Sequence, residues 1–447
     1  MEKIENQIDD LLLLFEKGSE EEIRDFLKIL HPADVADMLE ALEEPARSKV
    51  LSLLDTKTAS EVLSEIESPY RRDVVKNIVR ERLIDIVEGM ESDDAADLLG
   101  EIPQKEAHQI LLDMDTADGA EISRLLRYPD DSAGGIMQAE LVALPLNATV
   151  TEAIEAIRRK REEIPDLHTL FVVDDNGRLL GIVPLRKLLL ADPGDRISDI
   201  MDTNVIAVDV NMDQEDVAKL FRKYDFISMP VIDSNRRLLG RIVVDDIVDV
   251  LDEEADEDFL KLAGSLEEEI TNLSLKKSVA ARFPWLLVTY IGYTVSAIVI
   301  SWFRGAFHDI LLFIPFLPMI VGMAGNVGSQ SATIIVRGLA TGKVDAKKVW
   351  RVAFKEMGAG LALGIIYGTI VGLMTSMREG IFLFGMIVGL SLVVVVAIAA
   401  MLGVLLPIFF HRIGKDPALA TAPFITSSID FLGAAIYYSL AMVLYRG

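Results

Sequence analysis

Five long apolar runs follow Arg282 in this chain of 447 residues, and they constrain its fold more than any other feature. A helix needs about 20 predominantly apolar residues to cross a bilayer. We place the spans at 284–303, 311–335, 352–374, 381–410 and 419–444. Buried helices of a soluble protein would rarely produce five such runs with consistent basic flanks. We therefore expect an all-α polytopic membrane domain with five transmembrane helices over 283–447.

The charged residues are divided very unevenly along the chain. Residues 283–447 hold 11 Lys and Arg against 6 Asp and Glu, whereas residues 1–282 hold 33 against 64, a net charge of −31. That balance excludes a protein that binds nucleic acid through a basic surface. The chain has no Cys, which excludes disulfides, thiolate nucleophiles and Cys-ligated zinc. No nucleophile–base arrangement is evident, so we do not expect an enzyme.

Basic residues at the ends of the spans predict the orientation of the membrane domain. They are Lys276, Lys277 and Arg282 before the first span, Arg337, Lys343, Lys347, Lys348, Arg351 and Lys355 around the second connection, and Arg412 and Lys415 in the fourth. Such positively charged ends lie on the cytoplasmic side of a membrane. Five spans then place the acidic N-terminal part in the cytoplasm and Gly447 on the outer side.

Asp430 is the carboxylate that the sequence places deep within a span, in the segment TAPFITSSIDFLG. A charge at that depth costs at least a few kcal/mol unless it faces water, a partner or an ion. No Lys or Arg lies deep in any predicted span, so a structural ion pair would lack its basic partner. An ion pathway is the favoured interpretation. Thr426 lies four residues earlier and therefore on the same helical face.

The second span combines helix-breaking residues with polar ones. Pro315 and Pro318 interrupt its hydrogen bonding, and Gly322, Gly325 and Gly328 recur at every third position. Irregular backbone at membrane depth is tolerated where it lines a cavity, although the glycines alone would equally suit close helix packing. Polar residues in the same stretch favour a pathway, and they are Asn326, Ser329, Gln330, Ser331 and Thr333.

A repeated motif occupies the first part of the chain. PADVADMLEAL from Pro32 matches SDDAADLLGEI from Ser92, and a weaker copy follows each of them 24 residues later. Short amphipathic helices that cannot bury their apolar faces alone predict an α-superhelix, which we place at 1–128. Asp93 and Asp97 lie one helical turn apart. That spacing suits metal ligands, but it suits a solvated helix surface at least as well.

An internal duplication follows the repeats. GIMQAELVALP from Gly135 returns as DIMDTNVIAVD from Asp199, and RLLG recurs. Each copy predicts a strand, a helix, two strands joined by a turn, and a second helix. The duplication resembles a tandem pair of CBS domains at 129–198 and 199–253. Such α/β regulatory modules often bind adenine nucleotides, so ATP is a candidate ligand, with no binding residues assigned.

The densest acidic run in the chain, DDIVDVLDEEADED, covers 245–258 and shortly precedes the first span. In a helix, like charges at Asp246, Asp249, Glu253 and Glu257 would form one stripe and repel each other. Carboxylate oxygens without nitrogen or sulfur donors suit Mg²⁺ or Ca²⁺. We therefore expect this stripe to bind a hard divalent cation.

With these parts in this order, the whole chain resembles the MgtE family of magnesium channels and transporters. The most specific segments are GNVGSQSAT from Gly325, RGLATGKVD from Arg337, FKEMGAG from Phe354, and KDPALATAPF followed by Asp430. The resemblance implies a homodimer in the lipid bilayer, with a pore between the subunits that is lined mainly by the second and fifth spans. It also implies a connecting plug helix at 254–282.

The resemblance further implies roles for individual residues. Asp430 matches the pore aspartate of the family, which recognises a largely hydrated Mg²⁺. The implied pore residues are Asp430, Gly322, Gly325, Asn326 and Thr426. The residues that match regulatory Mg²⁺ sites are Glu61, Asp93, Asp97, Gly135, Asp213, Glu215, Asp225, Asp246, Asp249, Glu254, Glu257 and Asp258. No catalytic residue is implied.

These observations predict a multi-pass channel of the cell membrane that takes up Mg²⁺ passively. Cytosolic Mg²⁺ would close it by binding acidic sites between the N-terminal, CBS and plug elements. Two alternatives stay open: transport of another divalent cation such as Co²⁺ or Mn²⁺, and a membrane-tethered Mg²⁺ or nucleotide sensor that conducts nothing. Asp430 argues against the second alternative, because a pure anchor needs no carboxylate within a span.

Overall fold

The computed structural model describes residues 2–161, 164, 167–263, 275–306, 310–341, 343–344 and 349–445. The chain divides into two compact units, Met1–Asp252 and Glu253–Gly447. The first unit contains short helices followed by two small mixed sheets, and the second contains long apolar helices. The predicted fold class is confirmed: an all-α N-terminal domain, an α/β pair and an all-α domain with membrane-spanning helices.

Short helices form the N-terminal part of the first unit. They are α1 (Glu2–Lys17), α2 (Glu20–Ile29), α3 (Pro32–Ala41), α4 (Ala46–Leu53), α5 (Thr56–Glu65), α6 (Ser68–Val75), α7 (Arg80–Val87), α8 (Ser92–Glu101), α9 (Gln104–Asp113) and α10 (Thr116–Leu125). Helices α3, α5, α8 and α10 begin at the first residue of the four repeat copies, which confirms the predicted repeat of short helices.

Three of the four repeat copies begin with a helix whose first turn is capped by a side chain. His31, Asp55 and Asp115 directly precede α3, α5 and α10, and each accepts a hydrogen bond from a backbone N–H in the first helical turn. Such caps satisfy donors that have no partner within the helix. Glu91, which precedes α8, makes no such bond. Its side chain is therefore available for another contact.

Two similar α/β halves complete the first unit. The elements are β1 (Ala143–Pro145), α11 (Val150–Arg159), β2 (Thr169–Val173), β3 (Leu179–Pro184), α12 (Leu185–Leu190) and α13 (Ile197–Ile200), then β4 (Val208–Asp209), α14 (Gln214–Tyr224), β5 (Ser228–Ile232), β6 (Leu238–Val243) and α15 (Val244–Ala263). In each half the first strand is parallel to the second, and the second is antiparallel to the third. The element order predicted from the duplication is confirmed.

The two halves meet at the RLLG segments. Arg178 and Arg237, which open these segments, face each other in an isolated antiparallel bridge. Leu179 N–H donates to the carbonyl of Arg236, and Leu238 N–H donates to the carbonyl of Gly177. The duplicated sequence therefore folds into two halves that pair through equivalent residues, as an approximate two-fold arrangement requires.

The acidic run predicted to form a stripe is helical. Helix α15 continues through Val244–Ala263 without interruption, so it crosses the boundary that we expect between the second CBS domain and the plug helix at 253. Residues 264–274 of the predicted plug segment lie outside the described residues. The last part of the predicted plug segment belongs to a helix that begins at Leu275 and continues through the first span to Ala306.

The second unit holds the membrane helices, whose bounds are α16 (Leu275–Ala306), α17 (Ile310–Phe313), a 3₁₀ turn (Ile314–Phe316), α18 (Leu317–Ala340), α19 (Val349–Glu379), α20 (Phe382–Arg412) and α21 (Pro417–Leu444). Among the described residues, five helical segments are long and apolar enough to cross a bilayer. They coincide with the five predicted spans. Helix α20 is the most completely enclosed by its neighbours.

The second span differs from its prediction in one respect. Its helix is broken at the 3₁₀ turn that contains Pro315, near its start. Beyond that turn α18 is a continuous helix through Gly322, Gly325 and Gly328. Pro318 occupies the first turn of α18, where a missing N–H costs no hydrogen bond. The polar stretch is therefore presented by a regular helix face and not by irregular backbone.

Glycines bring α19 and α20 into backbone contact. A Cβ atom added at Gly368 would lie 2.6 Å from the carbonyl oxygen of Gly389, and one added at Gly372 would lie 2.9 Å from that of Gly385. Separations below about 3 Å require one helix to move. Small residues that let helix backbones approach closely are a common means of association in membranes. Close backbone contact therefore joins α19 to α20.

This packing predicts opposite effects of the same substitution at two positions of α19. Gly368→Ala should lower the thermal unfolding temperature of the detergent-solubilised protein, because the new methyl group would force apart a closely packed pair, a cost of about 1–3 kcal/mol. Gly358→Ala is the matched control, since nothing lies within 4 Å of its Cβ position. It should be neutral or slightly stabilising, because Ala favours the helix by up to about 1 kcal/mol. Equal melting temperatures for the two variants would contradict the assigned contact.

Candidate functional site

Asp430 lies halfway along α21 with a half-buried side chain. Its Oδ2 atom is buried and accepts no hydrogen bond from the residues that the structure describes. Ser296 Oγ of α16 donates to the main-chain carbonyl of Asp430 over 3.0 Å and leaves the carboxylate unused. Because buried polar atoms almost always have partners, this orphaned oxygen indicates a site where water or a cation completes the contacts.

Helices α18 and α21, which carry the predicted pore residues, contact each other close to Asp430 along the chain. Val321, the neighbour of Gly322, packs against Gly433, which follows Asp430 by three residues. Thr426, one turn before Asp430, donates its hydroxyl hydrogen to the carbonyl of Ala422 over 3.1 Å. The oxygen of Thr426 consequently remains available as an acceptor. The structure therefore brings α18 and α21 together where the sequence placed the pathway.

The glycines of α18 fall into two groups. Nothing lies within 4 Å of a Cβ position built at Gly322 or Gly325, so no neighbouring helix requires glycine there. Gly328 is different, because its Cβ position would lie 2.8 Å from Ile429 and 3.1 Å from Ile425 of α21. Gly328 is therefore the packing glycine, whereas Gly322 and Gly325 leave the backbone of α18 accessible on another face.

A polar concave surface lies along the exposed face of α18. It encloses about 610 Å³ and is lined by Asn326, Ser329, Gln330, Thr333 and Ile334. These residues are exposed in the single chain. Apart from Ile334, each presents a hydroxyl or amide group, and such groups can hydrogen-bond to the water shell of an ion. Asn326, predicted as a pore residue, is part of this surface.

The sequence analysis missed one acidic residue of the membrane unit. Glu356 lies inside the third span, and its side chain is only 12% exposed. It lies two residues before Gly358, the first glycine of α19, and close enough to the start of the predicted span to resemble a flanking charge. The segment FKEMGAG contains it, and the burial of a carboxylate within an apolar helix is the signal that identifies it.

A second candidate site is an acidic cluster in the first unit. Asp93 at the start of α8 is buried, and its Oδ1 atom has no hydrogen-bond partner among the described residues. Helix α8 and the beginning of α15 share one apolar core that includes Leu98 and Ile247. This packing brings Asp246, at the start of α15, close enough to act electrostatically on Asp93. The spacing of Asp93 and Asp97 also allowed a solvated helix surface. That interpretation is wrong for Asp93.

Burial and mutual repulsion raise the pKa values of this cluster. Loss of solvation raises the pKa of Asp93 well above its usual range, and the charges of Asp246, Asp94 and Glu91 raise it further. Burial, followed by the charge of Asp245, raises the pKa of Asp246 to about 8. Burial likewise raises the pKa of Glu91 to about 7. These carboxylates would be stabilised by an added positive charge.

Other acidic residues extend the cluster beyond the predicted set. The pKa of Asp249 is raised by partial burial and then by the charges of Asp94 and Asp245. Glu65 of α5 is affected in the same way, with Asp249 as its strongest charged neighbour. The sequence analysis missed Glu65, Glu91, Asp94 and Asp245. They come from three helices that only the tertiary fold brings together.

Polar contacts hold the region of α8 against the second α/β half. Gln138 Nε2 donates to Glu91 Oε2 over 2.6 Å, and Arg241 Nη2 donates to Gln138 Oε1 over 3.2 Å. Ser92 Oγ donates to Glu140 Oε2 over 2.8 Å. Arg241 is buried, so its positive charge acts on Glu91 with little screening. This network explains why α8 begins without a side-chain cap.

The remaining residues predicted as regulatory ligands lie on α5, on α8, in a turn and at the two ends of α14, where Asp213 accepts a hydrogen bond from the N–H of Glu215. Glu61 on α5 pairs with Lys57, and Asp97 lies on α8. Gly135 lies in a turn, where its N–H donates to the carbonyl of Ser132. Asp213 caps α14, Glu215 pairs with Lys219, and Asp225 ends α14 with φ of 53°. Burial, with a contribution from the charge of Asp94, raises the pKa of Asp97 to about 7. Asp97 therefore adjoins the Asp93–Asp246 cluster through Asp94. Their assignment as ligands stays a prediction.

Glu254, Glu257 and Asp258 lie on the last turns of α15, in the second unit. Lys261 forms an ion pair with Glu257. The Lys261 Nζ atom also lies 2.7 Å from Asp416 Oδ2. Asp416 also caps α21, the helix of Asp430, by accepting a hydrogen bond from the N–H of Ala418 over 2.7 Å. A cation at Glu257 would therefore compete with an ammonium group.

Among the residues that the structure describes, no three Asp, Glu or His side chains form a ready-made metal site. The acidic cluster still fits a hydrated divalent cation, because Asp93 offers a buried oxygen without a partner and its neighbours are carboxylates. Mg²⁺ usually keeps several of its waters and binds through one or two carboxylates. Asp93 and Asp246 are the residues that would hold such an ion.

Family comparisons match both the N-terminal and the membrane parts of the chain. Residues 317–440 match the MgtE family, described as a divalent cation transporter. Residues 30–131 match the MgtE intracellular N domain, and residues 133–194 and 197–253 match CBS domains. The order of these matches is the order of domains expected from the sequence.

Individual proteins similar to this chain are named after the same family. The magnesium transporter MgtE of Thermus thermophilus is 38% identical over 335 residues, which cover 74% of this chain and 74% of that protein. The magnesium transporter MgtE of Bacillus subtilis is 34% identical over 333 residues, which cover 74% of this chain and 73% of that protein. The similarity therefore extends well beyond the CBS domains.

Two solved structures are similar to the first unit. One is the crystal structure of the cytosolic domain of the Mg²⁺ channel MgtE in complex with ATP, with a TM-score of 0.52 and 34% identity over 54% of this chain and 99% of that one. The other is the soluble part of a magnesium transporter, with a TM-score of 0.52 and 32% identity over 56% of this chain and 99% of that one.

The raised pKa values predict that the region of α8 loses stability as the pH rises without divalent cations. The folded state keeps protons on Asp246 and Glu91 up to about pH 8 and 7, whereas the unfolded state loses them near pH 4. The free energy of unfolding of the region of α8 should therefore decrease as the pH rises from about 4 to about 8. Hydrogen-exchange protection of α8 in the full chain, corrected for intrinsic rates, should be lower at pH 8 than at pH 6.

Asp246→Asn should reduce this pH dependence, and Mg²⁺ should restore protection at pH 8 in the parent. Asp25→Asn on the exposed surface of α2 is the matched control and should change neither result. A pH dependence that is identical in the parent and in Asp246→Asn would contradict the assigned electrostatic coupling.

Proposed function

This chain belongs to the MgtE family of cation transporters, and from this membership we propose that it conducts Mg²⁺ passively across the cell membrane. The observation that carries the proposal is the orphaned carboxylate oxygen of Asp430 within an apolar helix. The relatives named magnesium transporters support Mg²⁺ as the transported ion. Mg²⁺ gives up its waters reluctantly. Asp430 is therefore proposed to select the ion through its water shell.

The membrane potential is proposed to drive uptake. The sequence holds no nucleotide-motor motif, so the electrical gradient is the available source of energy. Moving one charge through 100 mV is worth about 2.3 kcal/mol, and a divalent ion gains about twice that. With the acidic unit in the cytoplasm and the last helix ending outside, this force would draw Mg²⁺ into the cell. Positively charged span ends support that orientation.

A homodimer is proposed to complete the pathway. The polar surface formed by Asn326, Ser329, Gln330 and Thr333 is exposed in the single chain. Such groups face water or a partner when they lie within a membrane. A second copy placed against this surface would enclose it, with α18 and α21 of both subunits around the ion. The accessible backbone at Gly322 and Gly325 supports the same arrangement.

Cytosolic Mg²⁺ is proposed to close the channel through the acidic cluster. The carboxylates of Asp93 and Asp246 repel each other, and a divalent cation held between them would turn repulsion into cohesion. The ion can shift the equilibrium only by its different affinity for the closed and open states. Asp249, Glu254, Glu257 and Asp258 are proposed to contribute further weak sites along α15. Closure at high Mg²⁺ would then limit uptake.

The CBS pair is proposed to bind an adenine nucleotide such as ATP as a regulatory ligand. The support is the solved cytosolic domain in complex with ATP, which is similar to this chain over 54% of its length. Pairing of the two halves through Arg178 and Arg237 supports one regulatory body in which a bound nucleotide could act on both.

Asp430→Asn should abolish or strongly reduce Mg²⁺ influx into proteoliposomes while the protein still inserts and dimerises. The amide keeps the shape of the side chain but removes the charge that attracts a hydrated cation. Glu379→Gln, at the end of α19, is a matched control that neutralises a carboxylate outside the proposed pathway. Unchanged rate and selectivity in Asp430→Asn would make this residue structural and the pathway assignment wrong. Competition by Co²⁺ or Mn²⁺ measures selectivity in the same experiment.

Neutralising Asp246, Asp249 and Glu257 together should leave a channel that conducts at high Mg²⁺ on the side of the acidic unit. This variant has fewer carboxylates for Mg²⁺ to bridge. The difference in Mg²⁺ affinity between the closed and open states should therefore be smaller. The matched control replaces Asp9, Asp10 and Asp25 with Asn, which removes the same charge from exposed positions. Single-channel recording at increasing Mg²⁺ measures the effect. Equal closure in both triple variants would rule this mechanism out.

A further inference from the structure

Glu356 is a buried acidic side chain of the membrane unit that the proposed pathway does not use. It lies on α19 with only 12% of its side chain exposed. A carboxylate in such a place is costly unless hydrogen bonds or opposite charges compensate it. Ser331 Oγ of α18 donates to Glu356 Oε2 over 3.1 Å. The neighbouring Lys355 lies 3.8 Å from Oε1, but it is 81% exposed and well solvated.

Ser331 lies on the opposite side of α18 from the polar surface. Residues of an α-helix advance by about 100° each, so Gln330 and Ile335 point in nearly opposite directions. Gln330 is exposed on the concave surface, whereas Ser331 and Ile335 are buried. The hydrogen bond to Glu356 is therefore made from the buried face of α18, whereas the polar groups lie on its exposed face.

Apolar side chains of α18 such as Ile320 and Ile335 are buried in the core of the second unit, but such contacts are not directional. Gly322 and Gly325 project no side chain, and no neighbour fills their Cβ positions. Gly328 lets Ile425 and Ile429 approach closely, and these apolar contacts include no hydrogen bond. A hydrogen bond to a carboxylate is directional and stronger than a neutral one. The Ser331–Glu356 contact is such a bond, and it joins α18 to α19, which is itself held by glycine contacts with α20.

We propose that Glu356 is a positioning residue that fixes the rotation of α18. By accepting the hydroxyl hydrogen of Ser331, its carboxylate directs Asn326, Ser329, Gln330 and Thr333 towards the ion pathway. The inference rests on the proposed function for the meaning of that pathway. The orientation of α18 is a separate, measurable property, so it can be tested without measuring transport.

The absence of Cys from the chain allows a direct test by thiol labelling. Gln330→Cys reports the polar surface, and Ile335→Cys reports the buried back of α18. With Glu356 present, a water-soluble thiol reagent should modify position 330 much faster than position 335. In Glu356→Leu the ratio of the two rates should fall by about tenfold, as expected for the loss of one charge-assisted hydrogen bond.

Glu356→Gln should keep the parental ratio, because its amide oxygen can still accept the hydroxyl hydrogen of Ser331. Ser331→Ala removes the donor from the other side and should reproduce Glu356→Leu, which keeps the test valid if the Leu variant does not fold. Ser391→Ala on α20 is the matched control. That buried hydroxyl donates within its own helix, to the carbonyl of Ile387 over 2.7 Å.

A parental labelling ratio in both Glu356→Leu and Ser331→Ala would overturn the proposal. So would a ratio in Glu356→Gln as low as that in Glu356→Leu, since the charge and not the hydrogen bond would then matter. Mg²⁺ influx measured on the same variants separates the two claims. If the labelling ratios change as expected but the parent conducts no Mg²⁺, this inference is supported and the proposed function is wrong.

Discussion

Carboxylates held where water cannot fully solvate them are the constraint on which both units depend. Asp430 has a buried oxygen without a hydrogen-bond partner in the described part of the membrane unit, and Asp93 has one in the first unit. An uncompensated negative charge in a poorly solvated place is unfavourable until a cation approaches. The same physical condition thus occurs at the proposed pathway and at the proposed sensor, and it explains why one ion could serve both.

Close packing of small residues makes this arrangement possible. Backbone contacts at Gly368 and Gly372 join α19 to α20, and Gly328 lets α18 approach α21. These contacts use one side of α18 and leave the other side, with Asn326 and Gln330, exposed. Polar groups can therefore line a pathway without disturbing the helix core. The hydrogen bond from Ser331 to Glu356 would then hold this division in place.

Periodic patterns were read correctly from the sequence, whereas tertiary contacts were not. The repeat copies at Pro32 and Ser92 begin helices because apolar spacing and helix-start residues are local signals. The burial of Asp93 depends on α15, which is about 150 residues away along the chain, so local spacing could not separate a ligand from a solvated surface. Gly328 could not be distinguished from Gly322 for the same reason. Glu356 was missed because only its partner on α18 reveals its burial.

The most direct test of the account measures Mg²⁺ influx into proteoliposomes whose interior faces the acidic unit, with a voltage that is negative inside. The account predicts an influx that grows with the voltage and stops when the interior contains millimolar Mg²⁺. An absence of voltage-dependent Mg²⁺ influx at every interior Mg²⁺ concentration, in protein shown to be folded and inserted, would contradict it.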